Sequence, residues 1–209
     1  MKRDPFLETI DKLESNFEKN KKTFLNIFLG LIATAMVINF LMKKQEQKNL
    51  DSNSALGIAI VAYDNNDFEN AQFQFESIIS EFNGTKASDI ANFYLGRIHF
   101  EKNEFMKSES FLNAFIKSGN LENFYVGALK MLTHIAIQNG EHDKAITMLD
   151  NGVNRTSKIN SIEIKLIKTL VLNDKGNIDE AKSLINEIIS EEKLPRHLKQ
   201  KSEEIRGMM

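Results

Sequence analysis

The segment Asp67-Phe68-Glu69-Asn70-Ala71 decides the fold, because three altered copies of it follow at nearly constant spacing. The copies are Glu104-Phe105-Met106-Lys107-Ser108, Glu141-His142-Asp143-Lys144-Ala145 and Asn177-Ile178-Asp179-Glu180-Ala181. The small residues that end the four segments stand at positions 71, 108, 145 and 181, so the intervals are 37, 37 and 36 residues. A period in this range is typical of helical repeat proteins.

A turn precedes each copy, and an apolar-periodic stretch lies on both sides of it. The turns are Asn65-Asn66, Lys102-Asn103, Asn139-Gly140 and Lys175-Gly176. Each unit therefore predicts a helix–turn–helix hairpin, and stacked hairpins bury the apolar faces that one hairpin leaves open. We expect small residues where the two helices of a hairpin approach closely. These packing residues are Ala71, Gly96, Ser108, Ala145 and Ala181.

The composition agrees with an all-α protein. The 209 residues include 10 Gly and 2 Pro, too few for the frequent turns of an all-β fold. The net charge of -2 excludes a global basic excess that would attract nucleic acid, so we expect no nucleic-acid partner. The absence of Cys excludes disulfides and thiolate metal sites.

One stretch, TFLNIFLGLIATAMVINFLM at residues 23–42, carries no charge. Its last 19 residues span ~28 Å as a helix, close to the hydrocarbon thickness of a bilayer. We therefore predict a transmembrane signal-anchor helix at residues 23–43. A cleaved signal peptide is the alternative, because Ala33-Thr34-Ala35 resembles a cleavage site. The apolar run continues for seven residues beyond that site, which favours an uncleaved anchor.

Basic residues near the ends of this helix predict its orientation. Six Lys or Arg residues precede the helix and three follow it by position 48. Long domains are translocated largely regardless of charge, so the short N-terminal side should decide. We expect a single-pass type II protein with a cytoplasmic N-terminus and the repeats on the other side of the membrane.

The predicted organisation has five parts. The first is an amphipathic tail at residues 1–22, whose apolar stripe consists of Phe6, Ile10, Leu13 and Phe17. This tail contacts either the membrane lipid or a protein partner; the alternative is that it has no partner. The anchor helix at 23–43 and a linker at 44–51 follow. Four repeats occupy residues 52–194, and a polar cap helix that Pro195 opens occupies residues 195–209.

The repeats resemble the tetratricopeptide repeat family. The resemblance rests on Leu95-Gly96, on Gly140 and Gly176 before the second helices, and on the four small residues of the copies. It implies a right-handed solenoid of helical hairpins. The unit is longer than the usual 34 residues, and the early aromatic residue of the first helix is absent.

The order of tail, anchor and repeats is similar to that of bacterial inner-membrane proteins related to the ancillary subunit of the SecYEG translocon. Residues 81–87, EFNGTKA, are the stretch most like those proteins. The resemblance implies a periplasmic repeat domain and partners among the translocon and periplasmic chaperones. It also implies that the chain lies in the inner (cytoplasmic) membrane of a bacterium.

Motifs for catalysis, phosphate binding and metal binding are missing from the sequence. The four histidines, His99, His134, His142 and His197, include no pair spaced three or four residues apart, as a helical metal site needs. We therefore expect no catalytic residue, no cofactor, no metal and no enzymatic activity.

The first helices of the repeats are expected to line a concave groove that contacts a partner. The residues predicted for it are Ile60, Tyr63, Phe93, Arg97, Phe100, Lys130, His134 and Ile137, with Leu170 and Asn173 beyond them. A mostly apolar groove suits an apolar segment of a partner, extended or helical. Alternatively, these side chains pack against neighbouring repeats.

The predicted function is a membrane-tethered protein–protein interaction scaffold, an accessory or chaperone-like subunit near the protein-translocation or envelope-assembly machinery. The alternative is an accessory or regulatory subunit of another membrane complex, such as one for cytochrome maturation or stress signalling.

Overall fold

The computed structural model describes residues 19–118 and 122–209. Within these ranges the chain forms nine α-helices and no strand. They are α1 (Lys21–Asp64), α2 (Phe68–Glu81), α3 (Lys86–Glu101), α4 (Phe105–Ser118), α5 (Glu122–Gln138), α6 (His142–Val153), α7 (Lys158–Asp174), α8 (Ile178–Ile189) and α9 (Arg196–Gly207). The all-α class predicted from the sequence is therefore confirmed.

The chain divides into two compact units, of which one ends at Leu50 and the other begins at Asp51. Positions 1–18 of the predicted amphipathic tail lie outside the described residues. Residues 44–51, predicted as a linker, are helical and belong to α1. This segment contains no Gly or Pro, and its Lys, Gln and Glu residues are good helix formers.

In the first unit, the apolar part of α1 has its side chains exposed. Phe28 is 61% and Phe40 is 68% exposed. Thr34 Oγ1 donates a hydrogen bond to the Gly30 carbonyl at 2.9 Å, so this hydroxyl needs no water. By length and composition, α1 could cross a membrane, and its most apolar window is not buried. The helix could serve as a membrane anchor or a signal sequence.

The second unit contains four turns with one shared backbone conformation. The same two backbone hydrogen bonds close each turn. In the third turn, for example, the N–H of Gly140 donates to the Ile137 carbonyl, and the N–H of Glu141 donates to the Ala136 carbonyl. This pair of bonds is the Schellman motif, which needs a left-handed residue after the helix. The left-handed residues are Asn66 (φ 59°), Asn103 (φ 59°), Gly140 (φ 75°) and Gly176 (φ 89°). They recur at the spacing of the sequence repeat.

The helices from α2 onwards pack in chain order. Each helix contacts the next, and α3, α5, α7 and α9 also contact one another in succession. The core of the first hairpins joins α1, α2 and α3 through residues such as Ala59, Phe75 and Leu95, all with no exposed surface. Further core clusters follow along the chain, around Leu112, Leu149 and Leu166.

The small residues of the sequence repeat are fully buried in this packing. Ala71, Ser108, Ala145 and Ala181 have no exposed surface. Ser108 Oγ donates a hydrogen bond of 2.8 Å to the Gly96 carbonyl, which joins α4 to α3. A Cβ atom at Gly96 would lie 2.6 Å from Leu112 Cγ. The close approach of α3 and α4 therefore requires a residue without a side chain at position 96.

Candidate functional site

A cavity of about 530 Å³ lies between α3 and α5, and we call it the α3–α5 cavity. Its lining residues are Phe93, Arg97, Phe100, Glu101, Gly127, Lys130, Met131 and His134. The contributing positions on each helix are three or four residues apart, so each helix presents one face to the cavity. Five of the residues predicted for the groove, Phe93, Arg97, Phe100, Lys130 and His134, are brought together here.

Aromatic side chains form the apolar wall of the cavity. Phe93 is 6% exposed, and its ring centroid lies 4.9 Å from that of Phe124 and 5.5 Å from that of Phe115. Phe100 is half-buried, and its ring lies 5.3 Å from the ring of His134. Because Phe93 is held by rings on two other helices, this wall is preformed.

A charged cluster borders the wall on α3. Arg97 Nε donates to Glu101 Oε1 at 3.0 Å, and the Tyr63 hydroxyl donates to the same oxygen at 3.1 Å. The Arg97 guanidinium also lies over the Tyr63 ring, 5.3 Å from its centroid. Burial raises the pKa of Tyr63 to about 12; the Arg97 charge opposes this rise, and Glu101 adds to it. Glu101 thus compensates the charge of Arg97.

The opposite rim, on α5, carries a cation without a compensating acid. Lys130 is exposed and has no ion pair or hydrogen bond within residues 19–118 and 122–209. His134, one turn along the helix, is also exposed and contacts the rings of Phe100 and Phe105 by its edge. The cavity therefore combines an apolar wall with one uncompensated positive charge, an arrangement suited to an apolar side chain beside an acidic group.

The other predicted groove residues lie elsewhere in the second unit. Tyr63 is buried in the core of the first hairpins, where Ile60 packs half-buried against it. Ile137 packs half-buried against the core around Leu149. Leu170 is 41% exposed and Asn173 is half-buried, and neither lines the α3–α5 cavity. Five of the predicted groove residues thus line one cavity, whereas Ile60, Tyr63 and Ile137 take part in core packing.

Three lining residues, Glu101, Gly127 and Met131, are not among those predicted for the groove. Helical spacing could have found them, because Glu101 follows Arg97 by four positions, and Gly127 and Met131 precede the predicted Lys130 and His134 by three. Gly127 matters because it leaves space: a Cβ there would make ordinary contacts of 3.5 Å with the Phe93 ring.

His99 and His142 lie outside the α3–α5 cavity and connect neighbouring parts of the fold. His99 is 2% exposed, stacks on Phe111 with ring centroids 5.4 Å apart, and its Nδ1 lies 2.8 Å from Glu104 Oε2. Hydrogen bonds from Lys107 and His99 lower the pKa of Glu104. His142 Nε2 lies 2.8 Å from Asp174 Oδ2 and so joins α6 to the end of α7. No group of three or more His, Asp or Glu side chains in the described ranges could hold a metal ion.

Comparison with known proteins agrees with this architecture. A family model described as a tetratricopeptide repeat-like domain matches residues 15–184, most of the chain. No curated protein and no solved structure matches the chain. Domains of this kind act in protein–protein interaction. The chain belongs to the tetratricopeptide repeat-like domain family.

Proposed function

We propose that this protein is a membrane-tethered protein–protein interaction scaffold without enzymatic activity of its own. The observation that carries the proposal is the α3–α5 cavity, whose wall is built from Phe93, Phe100 and Met131 and whose rim carries the uncompensated Lys130. A partner would insert an apolar side chain against this wall and place an acidic group near Lys130.

The tether is the apolar segment of α1. Its 19 residues from 24 to 42 match the thickness of a bilayer, and a spanning helix holds the repeats near the membrane surface. Tethering raises the effective concentration of the repeats for a partner at the same membrane. The excess of basic residues on the N-terminal side supports a cytoplasmic N-terminus and extracytoplasmic repeats.

We propose that the second unit is a right-handed solenoid of four hairpins that α9 closes. The four Schellman turns at one spacing and the succession of contacts from α3 to α9 support this architecture. α9 suits a closing role because its buried residues, Leu198, Ser202 and Ile205, lie on one face and the rest of the helix is polar.

The partner complex that we propose is the protein-translocation or envelope-assembly machinery of a bacterial inner membrane. The order of tail, anchor and repeats, and the likeness to proteins related to the ancillary subunit of the SecYEG translocon, support this choice. Translocon components, periplasmic chaperones and emerging client segments would be the partners.

In-cell photo-crosslinking tests the proposal. A photo-reactive residue at position 134, on the rim of the α3–α5 cavity, should capture membrane or envelope proteins that mass spectrometry identifies. The same residue at Lys182, an exposed position on α8, is the matched control. The variant Gly127→Leu fills the cavity and should abolish capture from position 134 while the far-UV circular dichroism stays unchanged.

Two outcomes would contradict the proposal. Equal capture from positions 134 and 182 would show that the α3–α5 cavity is not the contact site. If only a cytochrome-maturation or stress-signalling complex is recovered, that complex is the partner and the translocation machinery is not.

A further inference from the structure

A second cavity, of about 430 Å³, opens among α4, α5 and α6, and we call it the α4–α6 cavity. Its lining residues are Asn113, Ile116, Tyr125, Leu129, Leu132, Met148, Asn151, Asn154 and Arg155. None of these residues is among those predicted from the sequence for a site. The proposed contact at the α3–α5 cavity does not use them either.

The two cavities lie on opposite faces of α5. Gly127, Met131 and His134 line the α3–α5 cavity, whereas Tyr125, Leu129 and Leu132 line the α4–α6 cavity. At 100° per residue, these two sets point in directions about 180° apart. A ligand in the α4–α6 cavity would therefore leave the α3–α5 cavity open.

Among the residues that the structure describes, the α4–α6 cavity carries one charged group, the Arg155 guanidinium, and no ion pair compensates it. Arg155 is exposed and lies over the Tyr125 ring, 5.5 Å from its centroid. No Asp or Glu lines the cavity, and the nearby Asp150 already pairs with Lys168 at 2.7 Å. Arg97 in the α3–α5 cavity differs because Glu101 compensates it. The Tyr125 ring thus contacts the Arg155 guanidinium, and none of its N–H groups donates to an acid among the residues that the structure describes.

Three amide side chains line the same cavity as this guanidinium. Asn154 Nδ2 donates to the Asp150 carbonyl at 3.1 Å, so its Oδ1 stays available as an acceptor. Asn113 and Asn151 are exposed and make no side-chain hydrogen bond to any residue that the structure describes. Amides that offer both donors and acceptors match the N–H and C=O groups of a peptide main chain.

The floor between the amides is apolar. Ile116 and Met148 are half-buried lining residues, and the lining residues Leu129 and Leu132 are 2% and 3% exposed. An aliphatic side chain would fill this floor, and Met148 can adapt its shape to it.

We propose that the α4–α6 cavity binds a short peptide segment of a protein partner that carries a carboxylate next to an aliphatic side chain. Arg155 receives the carboxylate, the Asn amides receive the main chain, and Ile116 and Met148 contact the aliphatic side chain. A carboxylate suits this site because its planar pair of oxygens matches one guanidinium edge. The site acts in addition to the α3–α5 cavity and does not depend on the partner proposed for that cavity.

Peptide binding to the full chain in detergent micelles tests the proposal. The probes are fluorescein-labelled Gly-Leu-Asp-Leu-Gly with blocked ends, its Asn counterpart, and Gly-Leu-Asn-Leu with a free C-terminal carboxylate. Fluorescence anisotropy should show at least tenfold tighter binding of one or both carboxylate peptides than of the neutral peptide. Tight binding of the blocked Asp peptide identifies a side-chain carboxylate as the ligand, and tight binding of the free-ended peptide identifies a chain terminus.

The variants separate the guanidinium from charge in general. Arg155→Gln should remove the preference for the carboxylate peptide, and Arg155→Lys should restore only part of it because Lys lacks the planar edge. Arg196→Gln, the same change at an exposed position on α9, should keep the full preference. As a readout on the wild-type chain, the side-chain amide signals of Asn113 and Asn151 should shift in NMR spectra when the carboxylate peptide is added.

Three results would overturn the proposal. The first is equal binding of the neutral and carboxylate peptides by the wild-type chain. The second is an undiminished preference in a folded Arg155→Gln variant. The third is displacement of the carboxylate peptide by inorganic phosphate at equal concentration, which would identify the site as a phosphate site.

Discussion

At the scale of single residues, the contact between Gly96, Ser108 and Leu112 shows how the hairpin of α3 and α4 is held together. Ser108 and Leu112 have no exposed surface, and the Ser108 hydroxyl donates to the Gly96 carbonyl. Leu112 occupies the space that a side chain at position 96 would need. Substitution at this point therefore acts on helix packing and not on the backbone of α3.

We expect Gly96→Ala to destabilise the protein although Ala is the better helix former. The added methyl group meets Leu112 Cγ at 2.6 Å, and such overpacking costs ~1–3 kcal/mol, which outweighs the helix-propensity gain of ~1 kcal/mol. Urea unfolding followed by far-UV circular dichroism measures the change. The control is Gly57→Ala in α1, where nothing lies within 4 Å and the same substitution should be stabilising. Equal effects at positions 96 and 57 would contradict the packing explanation.

Tyr63 should make the stability fall in alkaline solution. Its pKa is raised from 10.0 to about 12 in the folded protein, chiefly by burial, so the folded state retains the phenolic proton that the unfolded state loses. The stabilisation that Tyr63 contributes to the free energy of unfolding is therefore fully present below pH 10 and is lost as the pH rises through 12. The slope from this one group is at most ~1.4 kcal/mol per pH unit.

The comparison of wild type with Tyr63→Phe isolates this group from the other titrating residues. Between pH 10 and 12, the wild-type free energy of unfolding should decrease more steeply than that of the variant. Parallel curves in chemical denaturation at each pH would show that Tyr63 does not titrate between the two states as expected.

At the scale of elements, the four Schellman turns explain why the hairpins recur so regularly. Two of the left-handed positions hold Gly and two hold Asn, and Asn tolerates this conformation better than other non-glycine residues. Each turn closes with the same two backbone hydrogen bonds, so the second helix always begins at the same distance after the first. Turn chemistry thus fixes the spacing of the two helices within each hairpin.

Substitutions at these turns should change stability in opposite directions. Gly140→Ala introduces a Cβ at φ 75° and should cost ~1 kcal/mol or more. Asn103→Gly relieves the strained φ of 59° and should be neutral or slightly stabilising. Thermal unfolding of both variants measures the difference. Destabilisation by Asn103→Gly that equals that of Gly140→Ala would show that the Asn103 side chain has a role of its own.

At the scale of the whole molecule, the net charge of -2 is a sum of unlike parts. Residues 1–22 carry six bases and five acids, residues 23–42 carry no charge, and residues 43–209 carry 21 bases and 24 acids. The apolar content divides in the same way, between exposed side chains of α1 and the buried clusters of the second unit. These two populations meet different solvents if the segment at 24–42 lies in a bilayer.

Leu31→Arg should weaken membrane association. Leu31 is 65% exposed in the middle of the apolar segment, and a charge at the centre of a spanning helix costs ~2.5–3.5 kcal/mol on insertion scales. Alkaline carbonate extraction of membranes measures the fraction retained. Leu50→Arg, at an exposed position beyond the apolar segment, is the control and should leave retention unchanged. Equal retention of wild type and Leu31→Arg would contradict a spanning anchor.

A reporter fused after Met209 tests the orientation. The basic residues on the N-terminal side predict that the repeats are extracytoplasmic, so a reporter that works only outside the cytoplasm should be active. A second fusion before Lys2 should be active only as a cytoplasmic reporter. Cytoplasmic activity of the C-terminal fusion would reverse the proposed topology.

The sequence by itself determined the features that depend on local spacing and backbone conformation. The period of 36–37 residues, the turns at Asn66, Asn103, Gly140 and Gly176, and the uncharged run at 23–42 all follow from neighbouring residues. Such features predict the all-α class because helix formation and turn formation are local. The grouping of Phe93, Arg97 and Phe100 was predictable for the same reason, since they share one helix face.

Only the tertiary structure decided which charges are free and which cavities exist. Glu101 compensates Arg97 while Lys130 on the facing helix stays uncompensated, and Arg155 meets Tyr125 across 30 positions of sequence. The Arg97–Glu101 pair is four residues apart on one helix, but the contact of Arg155 with Tyr125 and the position of Lys130 across the cavity depend on the distance and rotation between packed helices. Core packing sets that geometry through many small contacts, such as Leu112 against Gly96, and no local sequence pattern encodes their sum.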